Sequence, residues 1–318
     1  MPTSSPSSSS EKYLAGLFVG ILAVSTASIF IRFAQREIPS LVIAAGRLTL
    51  ASLFLLPFAI HQIKKQAITI SRKTWFLLCL SGLFLGLHFV TWITSLEYTS
   101  VASSVVLVTT APLWVALFSP LFLQEKLSSK VVIGLIVAFS GSVVVGLSSN
   151  CSLTSSGVMC SGFESMWSGN NFFGNLLALA GAFLSAGYLM AGRSVRDFLP
   201  LSVYTTVVYG IGSFVILLLI HFTGTKVAGY SAQGYLWIIA LALIPQLVGH
   251  TLFNWALKYL AASYVSIALL GEPVGTIFLA AILLKEKPAL LELMGGILIL
   301  VGITIATQLA VNKKTSDD

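Results

Sequence analysis

Ten apolar runs, each about as long as a membrane is thick, dominate this chain. They fall at 13–35, 40–60, 74–96, 101–122, 129–148, 172–192, 201–222, 234–257, 262–284 and 289–310, bounded by charges, prolines or polar clusters. A helix of about 20 apolar residues spans a hydrocarbon core of about 30 Å. Within that core every backbone N–H and C=O must find a partner, and a helix supplies all of them inside one segment. Hydrophobic residues make up 56% of the 318 and charged residues 9%, against about 25% charged in a soluble domain. A water-soluble fold is excluded, and the expectation is an all-α polytopic membrane protein with ten transmembrane helices.

The net charge of +7 does not point to nucleic acid, because the 18 Lys and Arg are scattered at the ends of apolar runs and form no aromatic-interleaved patch. They carry topology instead. With a cytoplasmic N-terminus, twelve of them (Lys12, Lys64, Lys65, Arg72, Lys73, Lys126, Lys130, Arg193, Arg196, Lys258, Lys313 and Lys314) fall inside. Four (Arg36, Lys226, Lys285 and Lys287) fall outside. This asymmetry places both termini in the cytoplasm, in a plasma or inner membrane. Residues 1–12 read as a disordered Ser- and Pro-rich tail, and 311–318 as a cytoplasmic tail. The connection 149–171 has no Lys or Arg and reads as an extracytoplasmic linker with an Asn150-Cys151-Ser152 sequon. Cys151 and Cys160 share that loop, and both a disulfide and two free thiols are open.

A shift of 161 residues superimposes Tyr98 on Tyr259, Pro112 on Pro273, Glu125-Lys126 on Glu286-Lys287, Gly134 on Gly295 and Gly141 on Gly302. The chain therefore reads as a duplicated five-span unit, 13–148 and 172–310. Five is odd, so the second copy enters the membrane upside down relative to the first, the architecture of carriers that alternate access around a central site.

The ten-span pattern, Arg47 in Ala44-Ala45-Gly46-Arg47-Leu48, the block from Tyr98 to Glu125 with Pro112, the run Gly271-Glu272-Pro273-Val274 and Leu284-Lys285-Glu286 resemble the EamA family of the drug/metabolite transporter superfamily. The resemblance extends over about 13–310. It implies a ten-helix fold with a central cavity and the export or exchange of small metabolites, a class that includes amino acids, nucleosides, vitamins and drugs.

Glu272 is the one acidic residue deep within a span, where a charge costs at least about 2.5–3.5 kcal/mol. It is a candidate proton-titratable or cation-binding group, or else half of a structural pair. Pro273 removes the donor for the Leu269 carbonyl, and Gly271 leaves room beside it. Pro112 frees the Val108 carbonyl in the same way, but the residue matching Glu272 is Ala111. His88 and His250 lie near the midplane, and each is a candidate proton carrier or substrate ligand, or a helix-to-helix hydrogen bond. His250 and Glu272 lie in spans joined by one short loop, so a contact between them is expected. Arg47 is seven residues into the second span and must snorkel, pair, or hold an anionic group of the substrate. Asn254, Trp255 and Tyr188 are the further candidates for a cavity lined by aromatic rings. Trp75, Trp237 and Trp92 read as interface anchors. Glu125-Lys126 and Glu286-Lys287 read as charges that fix helix ends.

No Walker A pattern occurs, so the chain is not read as an ATP-driven pump. No His-Glu-x-x-His and no paired deep carboxylates occur, so no metal site, cofactor or enzyme activity is expected. The leading reading is a secondary transporter, an exporter of small metabolites that works by alternating access and couples to protons through Glu272. A passive channel or facilitator is the alternative, and an intramembrane enzyme the remote one. The partners are then a small molecule, the lipid bilayer and protons. Two halves in one chain enclose a site without a second copy, so a monomer is the default and a dimer stays open.

Overall fold

The computed structural model describes residues 8–148, 151–154, 157–160, 169–283 and 288–312. Its helices are α1 (Ser8–Val24), α2 (Ala27–Ala34), α3 (Ser40–Gln66), α4 (Arg72–Tyr98), α5 (Val101–Val108), α6 (Ala111–Phe122), α7 (Ser129–Leu147), α8 (Gly169–Arg196) and α9 (Leu201–Thr223). They continue with α10 (Ala232–Leu241), a π-helical segment (Ala242–His250), α11 (Thr251–Ala256), α12 (Ala262–Leu269), α13 (Glu272–Leu283) and α14 (Leu290–Asn312). Among the described residues nine segments are long and apolar enough to cross a membrane, and the apolar stretch Leu290–Ala306 of α14 adds a tenth, shorter one. The protein is an all-α polytopic membrane protein, close to the ten spans expected.

Helix starts follow local chemistry. Ser71, Ser100, Ser128 and Ser231 each accept a hydrogen bond from the backbone N–H three residues on, capping α4, α5, α7 and α10. α3 and α9 each begin after a proline, Pro39 and Pro200. α1 already starts at Ser8, inside the stretch read as a tail, and residues 1–7 lie outside the described residues.

Spans pair along their lengths: α4 with α8, α7 with α14, α3 with α9, and α1 with the π segment and α11. The α7–α14 seam is the clearest trace of duplication. A Cβ on Gly134 would lie 2.6 Å from the Gly302 carbonyl oxygen, and one on Gly141 would lie 2.6 Å from that of Gly295. Only glycine permits this approach. The contacts are exchanged, because Gly134 matches Gly295 and Gly141 matches Gly302 in the 161-residue register. Reciprocal contacts of this kind are what a two-fold relation generates.

Between α7 and α8, β1 (Cys151–Thr154) pairs antiparallel with β2 (Gly157–Cys160), and Cys151 opposite Cys160 is disulfide-bonded to it. Asn150 of the sequon, Glu286-Lys287, Lys313 and Lys314 lie outside the described residues.

Candidate functional site

Four of the spans are interrupted halfway. The first breaks at Ser25-Thr26, whose hydroxyls donate back to the Ile21 and Ala23 carbonyls, each at 2.7 Å. The fourth breaks at Thr109-Thr110 before Pro112, where the two hydroxyls donate to Val106 and Leu107 at 2.9 and 2.7 Å. The ninth breaks at Leu270-Gly271 before Glu272-Pro273. The eighth stays helical but widens into the π segment, which contains Pro245 and ends at His250. Irregular backbone at membrane depth persists where it lines a cavity or is held by protein, and π segments recur at functional sites.

These interruptions converge. Val24 and Ala27 from the first break, Thr109, Ala111 and Pro112 from the fourth, Leu269 and Glu272 from the ninth and His250 from the eighth line one central cavity of about 40 Å³. His88, Trp92, Val108 and Ser185 complete its wall. Since a water molecule needs about 10–15 Å³ of such space, the cavity has room for a few waters.

The polar groups around it are unevenly satisfied. The Glu272 carbonyl accepts from the Ser25 hydroxyl at 3.1 Å, and Thr276 donates to the Ser25 carbonyl at 3.1 Å, tying the ninth span to the first. The carboxylate Oε1 of Glu272 is buried with no hydrogen-bond partner among the described residues. Arg47 is fully buried; its Nε donates to Gln246 Oε1 at 3.1 Å and its guanidinium lies 4.0 Å above the Phe89 ring. Nη1 and Nη2 of Arg47 have no partner among the described residues. Arg47 and Glu272 do not form one of the ion pairs within 4 Å found among the described residues, which join Arg193 to Glu125 and to Asp197.

His88 Nδ1 is 2.9 Å from the Gly181 carbonyl. A carbonyl only accepts, so Nδ1 carries the proton there. The His88 ring stacks on Trp92, centroids 5.9 Å apart. His250 stands edge-on to Phe89 at 5.2 Å. His250 and Glu272 share the cavity wall, and no hydrogen bond joins them among the described residues. Below them Asn254 Nδ2 donates to the Tyr188 hydroxyl at 2.5 Å and to the His250 carbonyl at 2.8 Å, with Tyr209 at 3.4 Å.

Glu125 closes the end of the bundle that carries Arg193. Its carboxylate accepts from the Ala262 N–H at 3.1 Å, at the start of α12, and pairs with Arg193 Nε at 3.4 Å. Burial raises its pKa above the ordinary carboxylate value. At the opposite end Glu37 accepts from the Ser231 N–H at 3.0 Å, and the Ser231 hydroxyl bonds hold its pKa below the usual value.

With this geometry in place, comparison with known proteins identifies the relatives. The model of the EamA-like transporter family matches residues 12–147 and again 172–308. This chain belongs to that family. An uncharacterized transporter of Bacillus subtilis (strain 168), YxxF, is 26% identical over 227 residues, 70% of this chain and 67% of its own length. An uncharacterized transporter of Archaeoglobus fulgidus is 22% identical over 283 residues, 88% of this chain and 91% of its own. A solved crystal structure at 19% identity superposes with a TM-score of 0.72, covering 94% of this chain and 98% of that one, which shows the shared fold. The protein is an integral, multi-pass EamA-family transporter.

Within this transporter the structure brings together Glu272, His250 and His88 on the cavity wall beside Pro112, with Arg47 packed behind Phe89 and Tyr188 and Asn254 below. Gly271 sits in the break itself, where a Cβ would approach the Ala268 carbonyl at 3.1 Å. Trp255 lies elsewhere. Its ring packs on Gly16 and against Tyr13 at 5.2 Å and Tyr259 at 5.6 Å, in an aromatic cluster at the end of the bundle. Trp92, read as an interface anchor, is instead 4% exposed and lines the cavity, with Nε1 unpartnered among the described residues. Its spacing of four from His88 was the available signal. Gln246 had no motif to announce it, and Tyr209 carried only the signal of an aromatic residue within a span. Arg196, counted as a loop cation, is buried, and its Nε donates to the Asn254 carbonyl at 2.8 Å.

Proposed function

We propose that this transporter is a secondary carrier exporting a small metabolite by alternating access around the central cavity, with Glu272 as the group that takes up and releases a proton. The observation that supports this reading above all is a buried carboxylate, Glu272, whose Oε1 has no partner among the described residues, on the wall of the cavity where three broken spans and a π segment converge, with the incompletely partnered Arg47 buried against Phe89 and Gln246. Buried charges are costly unless paired, so atoms left without partners at one place suggest groups that a ligand or a proton satisfies. The guanidinium fork, with Nη1 and Nη2 unpartnered among the described residues, matches a carboxylate or phosphate, and the His88, Trp92 and Phe89 rings suit a planar or amphipathic body. A cavity of about 40 Å³ is far too small for such a solute, so the spans must part to admit it, and their breaks are the natural hinges.

Both termini are cytoplasmic in this reading, in a plasma or inner membrane, and one chain is sufficient. The Lys and Arg asymmetry supports the orientation. So does the disulfide in the hairpin, which persists on an oxidising face.

The test is ligand-induced thermal stabilisation of the detergent-purified protein across amino acids, nucleosides, vitamins and cationic drugs, followed by transport of the hit in proteoliposomes under an imposed pH gradient. A ligand that binds the folded state raises the melting temperature by mass action. A hit whose transport follows the gradient and loses that dependence in Glu272→Gln is the expected result. Full transport with unchanged pH dependence in Glu272→Gln overturns the coupling role, and conduction far above carrier turnover overturns the carrier.

A further inference from the structure

A second cavity lies apart from the central one and shares no lining residue with it. It is a groove of about 370 Å³ between α4, α6 and α8, walled by Leu77, Phe84, Phe118, Phe122, Phe183 and their apolar neighbours. Its one hydroxyl, on Ser194, is already spent on the Met190 carbonyl at 3.1 Å, so the groove has little to bind a polar metabolite. Its floor is the close approach of α8 to α4, where a Cβ on Gly187 would lie 2.7 Å from the Phe84 ring. Its mouth is towards the bilayer, since Phe122 is 73% and Phe183 43% exposed.

The end of the groove is basic. Lys73, Leu77, Leu80 and Phe84 follow one another at spacings of four, three and four along α4, so the exposed Lys73 stands one turn beyond the groove on the same face. Lys126, also exposed, lies in the short connection that leaves the groove at the lining residue Leu123, just past the end of α6 at Phe122. Among the described residues neither lysine belongs to an ion pair within 4 Å; the cation nearby that does, Arg193, is held by Glu125 and Asp197.

We propose that this groove binds one acyl chain of an anionic phospholipid, whose phosphate sits at Lys73 and Lys126. An apolar slot open to the acyl region, with Lys73 in the first turn of α4 and Lys126 in the connection after α6, neither in an ion pair among the described residues, matches such a lipid along its length, tail to headgroup. The site has a mechanical consequence. α6 is the half-span that follows the Thr109-Thr110 break, and the bound chain lies between it and the α4–α8 pair, so that a pivot of α6 at the break would have to cross the lipid.

The experiment is native mass spectrometry of the full-length, delipidated protein titrated with phosphatidylglycerol and with phosphatidylcholine, and it needs neither transport nor the transported solute. The expected result is one tightly retained phosphatidylglycerol, preferred over phosphatidylcholine on the order of tenfold. The exposed-site double variant Lys73→Gln/Lys126→Gln reduces that preference to near unity, and Ser194→Phe, which fills the groove, removes the retained lipid of either kind while the melting temperature of the protein holds. Equal retention of the two lipids by the unaltered protein, a preference that survives loss of both lysines, or full lipid retention by Ser194→Phe would each overturn the proposal.

Discussion

The fourth and ninth spans break at matching positions. α5 ends at Val108 and α6 begins at Ala111; α12 ends at Leu269 and α13 begins at Glu272, in the same 161-residue register. Each break precedes a proline that cannot donate to the carbonyl four residues back. What surrounds the two breaks differs. In the fourth span, two threonine hydroxyls donate locally to the Val106 and Leu107 carbonyls beside the break, and Ala111 adds no charge. In the ninth, Glu272 stands at the first position of α13, and its carbonyl is held by Ser25 from the broken first span. Duplication supplied the hinge twice, and a single residue placed the charge in one half. The seam between α7 and α14 is the counterweight, because there the matching glycines still meet reciprocally.

The largest expected effect breaks the difference between the two spans. Glu272→Gln removes the one charge that separates them, and transport in proteoliposomes should fall by at least about tenfold, some 1.4 kcal/mol. The corresponding change in the other half, Ala111→Ser, should leave the rate within a factor of about two, below about 0.5 kcal/mol.

The symmetric seam gives the next effect. Gly141→Leu and Gly295→Leu each drive a side chain into the other's carbonyl and should each cost about 1–3 kcal/mol of stability in chemical unfolding. Because both disturb one contact, the double variant should cost less than the sum; strict additivity would deny that the two glycines meet.

Pro112→Ala and Pro273→Ala restore a donor in each break, and the stability change in either direction should be about 0.4–1 kcal/mol. Slower transport from both variants would mark both breaks as working hinges, whereas an effect from Pro273→Ala alone would assign the motion to the charged half.

The smallest effect concerns Glu125. Its pKa is raised by burial, so the folded protein binds this proton more readily than the unfolded chain. Stability from this group is therefore greatest at low pH and declines as pH rises from the ordinary carboxylate value of 4.5 through the raised one. Glu125→Gln keeps an acceptor for the Ala262 N–H and should flatten that decline by a few tenths of a kcal/mol, since the site is partly exposed and screened. Melting curves across that window check it.

Much of this was legible in the residues. The spans follow from the length of the apolar runs, and the breaks at Pro112 and Pro273 follow from the missing donors. Glu272, Arg47, His88 and His250 stood out because a polar side chain at membrane depth is expensive. The break at Ser25-Thr26 and the π segment carried weaker signals, a pair of hydroxyls and Pro245, because each depends on a neighbour that accepts the irregular backbone.

The sequence by itself determined how many times the chain crosses the bilayer, where two of its spans break and which side chains needed a reason to be there. Only the tertiary structure decided which of them meet: Arg47 with Gln246 and Phe89, Trp92 on the cavity and Trp255 away from it. The physical reason is the solvent. Lipid tails are as apolar as a protein core, so a membrane helix has no hydrophobic stripe to declare its inward face. In this protein that choice was left to glycine contacts, helix breaks and a handful of polar atoms from distant spans.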